Sequence, residues 1–362
     1  MASSSSHTGV SQPSAASGPR VIVAGATGFT GALAAHLLWR HPDFELVAVT
    51  GRSELGRPLQ EVYPRYRVPL TIEPLEVERL QGIDAAVVAY PHAAAAPTVA
   101  ALRERGIRVV DLSADFRLRS LSVYEHWYGE HPRPDLLGEA VYGLTELHRD
   151  QIAGAGIVAN PGCYPTASLL ALAPLARAGL ITDLVIDAKQ GISGAGRVFD
   201  ETTHLSMAGE NIVPYKVAAH RHTPEIEEQL ALLRHSADVA GAPAAAPNEL
   251  KVQFQAHLVP LDQGEMASCY VTTTRPVTSE ELKRMYTDAY AAEPFVELLL
   301  DRPPGVLEVR ETNYCRVFAA ADGHTGKVIA FGAIDNLWKG TSSQAVQNLN
   351  LMFGLPETRG LL

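Results

Sequence analysis

One stretch constrains this chain more than any other. The β-branched run Val21–Ala24 enters Gly25-Ala26-Thr27-Gly28-Phe29-Thr30-Gly31 and continues into an apolar, helically periodic segment reaching Trp39. Strand, glycine loop and helix in immediate succession form the opening unit of a parallel sheet, because a parallel strand needs a crossover to reach its neighbour. The alternation recurs, with β-branched runs at Glu45–Val49, Ala85–Ala89, Arg108–Asp111 and Ile157–Ala159 and a second helical stretch at Pro97–Arg105. The first half is therefore expected to be α/β, a Rossmann-like doubly wound parallel sheet.

The second half changes character. A helix is expected from Cys163 toward Ala178, and strand-like runs then follow at Leu184–Ala188, Lys251–His257, Met266–Thr274, Cys315–Ala320 and Val328–Ile334. Strands in succession predict an α+β unit with a mostly antiparallel sheet. Thr278 and Glu281 form a capping box ahead of a helix reaching Tyr290, and the Ala/Pro/Gly-rich stretch at 240–247 reads as a surface loop. A last helix over 342–353 places Val346, Leu349 and Phe353 on one face and stops at Gly354 before Pro356. At 362 residues the chain exceeds one ordinary core, so the expected organisation is a disordered tail at 1–19, a nucleotide-binding domain at 20–162, a catalytic domain at 163–335 and a C-terminal segment at 336–362. The tail is Ser, Ala, Gly and Pro with almost no apolar bulk, too little to offset its ordering entropy.

Charge and cysteine usage exclude several classes. A formal charge of −10 without a Lys/Arg stripe argues against nucleic acid as a partner. The most apolar long window, 169–188, is broken by Pro174, Arg177 and Asp183, and the N-terminus lacks the basic region of a signal peptide, so neither a membrane span nor export is expected. Cys163, Cys269 and Cys315 are an odd number without metal-type spacing, which fits a reducing, cytoplasmic compartment and implies no metal.

Small residues at a strand-to-helix turn let the backbone approach a pyrophosphate, whose charge meets the amides of the helix N-terminus. Gly25, Thr27, Gly28, Phe29, Thr30 and Gly31 are thus the candidate cradle, although their G-x-x-G-x-x-G spacing departs from the usual G-x-G-x-x-G and a tight turn alone also needs glycine. About 20 residues on, a chain that binds NAD offers an acid to the ribose 2′-hydroxyl, whereas this one offers Thr50-Gly51-Arg52-Ser53. Arg52 and Ser53 suit a 2′-phosphate, which points to NADP (NADPH), against the bland alternative of Arg52 as a solvated charge.

Asn160-Pro161-Gly162-Cys163-Tyr164-Pro165-Thr166 lies between a buried-looking strand and an apolar helix, which sets the Cys163 sulfur at a helix N-terminus. Helix N-termini and neighbouring cations lower a thiol pKa, so Cys163 is expected to be an activated nucleophile rather than a small core residue. Cys269 and Cys315 fall within strand patterns and read as structural. His220-Arg221-His222-Thr223-Pro224-Glu225 supplies His220 as the first candidate acid/base and His222 as the second, on a loop that Thr223 and Pro224 lead into a helix. His92, after Tyr90-Pro91 at a strand end, is a candidate to line the cofactor cleft. Ser193-Gly194-Ala195-Gly196-Arg197 follows a strand and is either a phosphoryl- or carboxylate-holding loop or only a turn.

These segments resemble a known family. Asp111–Arg117, Asn160–Thr166, Ser193–Arg197, Tyr215–Val217 with His220–Ile226, and Asp335–Gly340 through Gln344–Asn348 are similar, in order and over nearly the whole chain from residue 20, to the motifs of N-acetyl-gamma-glutamyl-phosphate reductases. The resemblance implies Cys163 as catalytic thiol, His220 as acid/base, and a final helix that packs back on the first domain. It also implies Ser193, Gly194 and Asn336 toward the cofactor, and Arg117, Asn160, Ser193, Gly196, Arg197, His222 and Glu225 toward a small-molecule acyl phosphate. A homo-oligomer, dimer or tetramer, is implied as well. The implied reaction is attack of Cys163 on the acyl phosphate, loss of phosphate, hydride delivery from NADPH to the thioester and release of the semialdehyde.

One departure stands out. In His257–Glu265 the family usually has arginine where this chain has Gln263 and an apolar residue where it has Glu265. Losing an arginine fork removes a possible anion clamp, so a related aspartyl, aminoadipyl or carrier-protein-linked acyl phosphate is the alternative substrate. A reductase resembling aspartate-semialdehyde dehydrogenase, a non-catalytic nucleotide-binding sensor, and a cysteine hydrolase or acyltransferase without nicotinamide are the competing readings.

Overall fold

The structure, a computed structural model, describes residues 18–198, 200–236 and 250–362. The expected tail falls outside the described residues up to position 17, and the expected loop at 240–247 lies wholly outside them.

Two seven-stranded sheets carry the chain. The first uses β1 (Arg20–Ala24), β2 (Glu45–Thr50), β3 (Ile72–Glu73), β4 (Ala85–Val88), β5 (Arg108–Asp111), β6 (Ala140–Tyr142) and β7 (Ile157–Ala159), in the order β3-β2-β1-β4-β5-β7-β6. Every pairing in it is parallel. Both faces are covered: Val21 and Val23 pack with the Phe29–Arg40 and Ser343–Met352 helices, while Ile22 and Ala24 pack with the Ala96–Glu104 helix. Alternate residues of one buried strand therefore serve two cores, which is why β1 reads as continuously apolar. The order reverses between β1 and β4, and the crevice beyond the strand ends at such a switch point is where doubly wound sheets bind ligands.

The second sheet contains β8 (Ile181–Gln190), β9 (Val213–Tyr215), β10 (Val252–Leu258), β11 (Glu265–Thr273), β12 (Val296–Leu298), β13 (Cys315–Ala321) and β14 (Val328–Ile334), in the order β12-β13-β14-β11-β8-β10-β9. Its pairings are antiparallel except β12 with β13 and β8 with β10, the mostly antiparallel arrangement expected. The Cys163–Arg177, Thr223–Ser236 and Ser279–Tyr290 helices cover one face. On the other face Tyr270 is exposed, and Phe318 and Phe331, paired across β13 and β14, are only partly buried. The capping box forms, with the Glu281 amide donating to Thr278 Oγ1 at 3.1 Å.

The Cys163–Arg177 helix joins the two halves: it leaves the first sheet at β7 and packs on β11 and β14 of the second. The C-terminal helix, Ser343–Met352, returns to the first sheet, where Ala345, Val346, Leu349 and Met352 enter its core. No helix among the described residues is long and apolar enough to cross a membrane.

Candidate active site

Cys163 is the first residue of its helix, with Gly162 at the N-cap in extended conformation. The residue is half-buried and lines a cavity of about 600 Å³, which runs from Tyr90 and His92 beyond β4 to His220 and His222. Gly340 and Gly162 make the room. A Cβ on Gly340 would lie 2.8 Å from that of Cys163, and one on Gly162 would lie 2.5 Å from Nε2 of His222.

The turn before the sulfur is held from below. Glu225, almost fully buried, accepts the Gly162 amide at 2.8 Å and the Tyr142 hydroxyl at 2.7 Å through Oε1, while Oε2 faces Arg117 Nη1 at 3.3 Å. Arg117 also donates to the carbonyls of Asn160 and Leu112, both at 2.8 Å, and so binds the Asp111–Arg117 turn to the nucleophile's turn. Asn160 donates to the Thr341 carbonyl at 3.1 Å and accepts from Asn348 at 3.0 Å. Glu225 and Asn160 are thereby occupied within the protein, and neither lines the cavity, whereas Arg117 and His222 do.

Two groups contact the sulfur directly. Gln190, the last residue of β8, donates Nε2 to Sγ at 3.2 Å. The Glu265 carboxyl, opposite Gln190 in the β8–β11 register, lies against the same sulfur. The lowered thiol pKa expected from the helix terminus does not materialise. Burial pushes the thiol well up, the Glu265 charge adds to it, and the Tyr164 amide and Arg117 only partly oppose them. Cys269 and Cys315 are fully buried in strands, and burial raises them too.

His220 is buried between aromatic rings, 4.9 Å from Phe254 and 5.4 Å from Tyr164 by centroids. The His222 amide donates to its Nδ1 at 3.2 Å, which fixes the neutral tautomer with hydrogen on Nε2. Burial, then the Lys216 charge, pushes its pKa down to about 3, so the ring is a neutral donor. His222 is held neutral as well, by burial first and then by His220 and Arg117. Lys216 and Arg221 bring positive charge to the same cavity wall.

At the glycine loop, a Cβ on Gly25 (φ +94°) would lie 2.6 Å from the Ala89 carbonyl oxygen, and one on Gly31 would collide with the Gly25 carbonyl. Gly28 faces open space apart from a distant Gly25 oxygen, and its helix has no side-chain cap. The first-turn amides after Gly28, on Phe29, Thr30 and Gly31, are therefore free to meet an anion. Arg52 extends from the end of β2 over the Tyr90 ring at 4.8 Å, across the switch point, with Ser53 exposed beside it. Arg197 reaches this side rather than the cavity, donating to the Thr27 carbonyl at 3.1 Å and to Glu54 at 2.9 Å. Gly194 lines the cavity and Gly196 takes the left-handed turn beside it. Ser193 and Asn336 form a buried bridge, with Asn336 Nδ2 donating to Ser193 Oγ at 3.0 Å and the Gly264 amide donating to Asn336 Oδ1 at 2.8 Å.

Two family models cover the chain, the semialdehyde dehydrogenase NAD binding domain over residues 20–155 and the semialdehyde dehydrogenase dimerisation domain over residues 163–336. The N-acetyl-gamma-glutamyl-phosphate reductase of Moorella thermoacetica is 46% identical over 94% of this chain and 96% of its own length. That of Desulforudis audaxviator is 47% identical over 95% and 98%. The chain belongs to the N-acetyl-gamma-glutamyl-phosphate reductase family. Solved structures share the reductase fold at lower identity: aspartate semialdehyde dehydrogenase II of Vibrio cholerae complexed with ASA (TM-score 0.69, 18% identity, 94% of this chain and 99% of that one) and the Candida albicans enzyme with NADP (0.66, 18%, 93% and 99%).

In this reductase-family chain, sequence reasoning missed Gln190, Tyr164 and Tyr215 as components of the site. Tyr215 donates to the Tyr164 hydroxyl at 3.1 Å, and both phenols line the cavity beside Gln190. The terminal position of Gln190 in an alternating strand was the available signal, visible only once the strand is carried past Ala188 to its end. Gln263 is buried away from the cavity, its carbonyl accepting from Arg310 at 2.8 Å.

Proposed function

We propose that the protein reduces N-acetyl-gamma-glutamyl phosphate to N-acetylglutamate 5-semialdehyde and phosphate with NADPH, a step of arginine biosynthesis, through a thioester on Cys163. The observation that carries the reading is the placement of Cys163 at a helix N-terminus, in one cavity with His220 and with the ends of β4 and β5, β4 being one of the two strands that flank the switch point. The residues present fit the cofactor. The Gly25–Gly31 loop keeps its backbone bare beside uncapped helix amides, and Arg52 offers a guanidinium for the 2′-phosphate. Bound there, NADPH supplies the hydride.

Each remaining role belongs to the chain's own groups. Arg117, Lys216 and Arg221 bring positive charge to a substrate that carries both a carboxylate and an acyl phosphate. The Tyr164 amide, with Nε2–H of His220, is a donor for the oxyanion that forms at the acyl carbon. Gln190 keeps the sulfur aimed by its hydrogen bond. Ser193 and Asn336 hold the Ser193–Arg197 loop against the start of β11, Gly194 lets it pass against Gln190, and Gly196 takes the left-handed turn.

We read residues 20–162 as the nucleotide domain, 163–335 as the catalytic domain and 336–362 as the returning segment. The partly exposed aromatic face of β11, β13 and β14 supports a homo-oligomer, and the three unpaired cysteines support a cytoplasmic setting. The departure from the family pattern at Glu265, which lies beside the sulfur, favours a second reading, a sister reductase of an aspartyl, aminoadipyl or carrier-linked acyl phosphate. The deciding experiment is phosphate-dependent oxidation of N-acetylglutamate semialdehyde, followed by NADPH absorbance beside aspartate semialdehyde and aminoadipate semialdehyde. The proposal expects phosphate dependence and a kcat/KM for the first at least about 100-fold above the others, and equal or inverted rates would contradict it.

A further inference from the structure

The loop after β8 sends one side chain away from the cavity. Gly194 and Ala195 line the cavity, whereas Arg197 crosses to the corner that follows β2, where Arg52 and Ser53 lie. Its guanidinium donates Nη1 to the Thr27 carbonyl at 3.1 Å and Nη2 to Glu54 Oε1 at 2.9 Å. Tyr63 fixes the approach: its ring centroid is 5.5 Å from the guanidinium carbon, and its hydroxyl donates to the same Thr27 carbonyl at 2.8 Å. Thr27 in turn packs on Gly51, where a Cβ would lie 2.8 Å from the Thr27 methyl. Arg197 therefore touches the glycine loop and the turn after β2 together.

Glu54 is the odd charge at this corner. A nucleotide site that takes a ribose 2′-hydroxyl offers an acid after its second strand, and one that takes a 2′-phosphate offers a cation. This corner holds both, with Glu54 directly after Arg52 and Ser53. Glu54 adopts a left-handed backbone at φ +59°, and Arg57 Nη1 meets its Oε2 at 2.6 Å. Arg57 is shared, because its Nε also lies 3.8 Å from Glu61. From Arg52 to Glu61 acids and cations balance, and Glu73, the partner of Thr50 in the β2–β3 register, tips the corner negative. The cation that offsets it is Arg197, which lies outside the residues 20–155 matched by the NAD binding domain model. An ion pair as exposed as this one adds little to stability, so its consequence is the field it leaves at the corner. The two guanidinium contacts, Arg197 first, hold the Glu54 carboxyl below the usual range and so keep it charged.

We propose that Arg197 is a specificity-determining residue for the cofactor: it holds Glu54 from the loop after β8, cancels an acid that repels the 2′-phosphate, and so sets the preference for NADPH over NADH. The inference rests on the NADPH reading above. Arg197 acts through Glu54, which makes it a positioning residue. A charge within about 8–10 Å of the phosphate is felt at ordinary salt, whereas NADH, which lacks that phosphate, is spared.

The test is equilibrium binding, without turnover. Dissociation constants for NADPH and NADH are measured by fluorescence titration of the full chain at about 0.05 M and about 0.5 M salt. The proteins are wild type, Arg197→Ala, Arg197→Lys, Glu54→Gln and the double variant Arg197→Ala/Glu54→Gln. At low salt Arg197→Ala should weaken NADPH about fivefold, the effect of one charge near a phosphate in high dielectric, with NADH unchanged within about twofold. Arg197→Lys should keep most of the preference, and Glu54→Gln alone should tighten NADPH. The double variant should return to within about twofold of wild type, and the high-salt loss should be smaller. Equal weakening of both cofactors by Arg197→Ala overturns the proposal, because it marks a loop that only packs on the nucleotide. A double variant as weak as Arg197→Ala also overturns it, since Arg197 would then meet the phosphate without Glu54. A wild type that binds NADH as tightly as NADPH defeats the NADPH reading, and this proposal with it. A wild type that prefers NADPH beside variants that leave the ratio unmoved keeps that reading and removes only Arg197.

Discussion

The ring of His222 lies where a side chain on residue 162 would be: a Cβ there would approach Nε2 to 2.5 Å, so the Pro-Gly turn and the histidine loop are fitted to each other across the site. Gly162→Ala forces one of them to move. The expected result is a folded protein weakened by about 1–3 kcal/mol, since overpacking is met by backbone shifts. Turnover should fall roughly 100-fold, the usual effect of about 1 Å of misplacement at a reacting centre. Thermal unfolding and kcat measured on one preparation check both numbers, and wild-type turnover would show that the fit is slack.

Glu225 and Arg117 face each other at 3.3 Å with exposures of 1% and 8%. Glu225→Ala leaves a buried guanidinium without its counter-charge and frees the Gly162 amide and the Tyr142 hydroxyl. Urea unfolding should report a loss of about 3–5 kcal/mol, the range for breaking a buried pair from one side. Glu225→Gln keeps an acceptor for the amide and should lose less. Equal stability of the two variants would show that the charge, and not the acceptor, dominates.

How far these features could be read from residues alone depends on the range of the interactions behind them. The strands Glu45–Thr50, Arg108–Asp111, Ile157–Ala159 and Val328–Ile334 were legible because β-branched runs of buried strands carry their signal locally. The strands Ile72–Glu73, Ala140–Tyr142, Val213–Tyr215 and Val296–Leu298 are equally short or shorter and, unlike Ile157–Ala159, hold no two β-branched residues in succession. Cys163 at a helix start was legible from Pro-Gly before it and Pro165 after it. Its raised pKa was not, because desolvation and a carboxyl from β11 arrive only with tertiary structure. Gln190 was missed for the same reason: its meaning comes from lying opposite Glu265.

Arg52 sits exposed over Tyr90 at the switch point, with no acidic partner of its own among the described ion pairs. Arg52→Asp replaces the guanidinium proposed for the 2′-phosphate by a charge that repels it. The KM for NADPH should rise at least about tenfold while that for NADH stays within about threefold, by loss of a charge-assisted hydrogen bond. Steady-state kinetics with both cofactors measure this, and parallel changes would place the residue outside cofactor discrimination.

Two buried carboxyls give stability a defined pH slope. Burial raises Asp111 to about 7 against two hydrogen bonds from Ser113, and raises Glu265 to about 8. A raised folded-state pKa means that the folded chain binds more protons than the unfolded one between the two values, so these groups make stability fall as pH rises from about 4 to about 8. Glu265→Gln should flatten the upper part of that decline and be relatively more stable at pH 8 than at pH 5 compared with wild type. Chemical denaturation at the two pH values checks the sign, and a steeper decline in the variant would contradict it.

The central claim is that the acyl group passes through the sulfur of Cys163. Mixing the protein with N-acetyl-gamma-glutamyl phosphate without NADPH, quenching in acid and digesting should yield the peptide bearing Cys163 with one added N-acetylglutamyl group, absent in Cys163→Ala, and the Cys163→Ala chain should not reduce the substrate. Turnover by Cys163→Ala, or an acyl group found on Cys269 or Cys315 instead, would contradict the account.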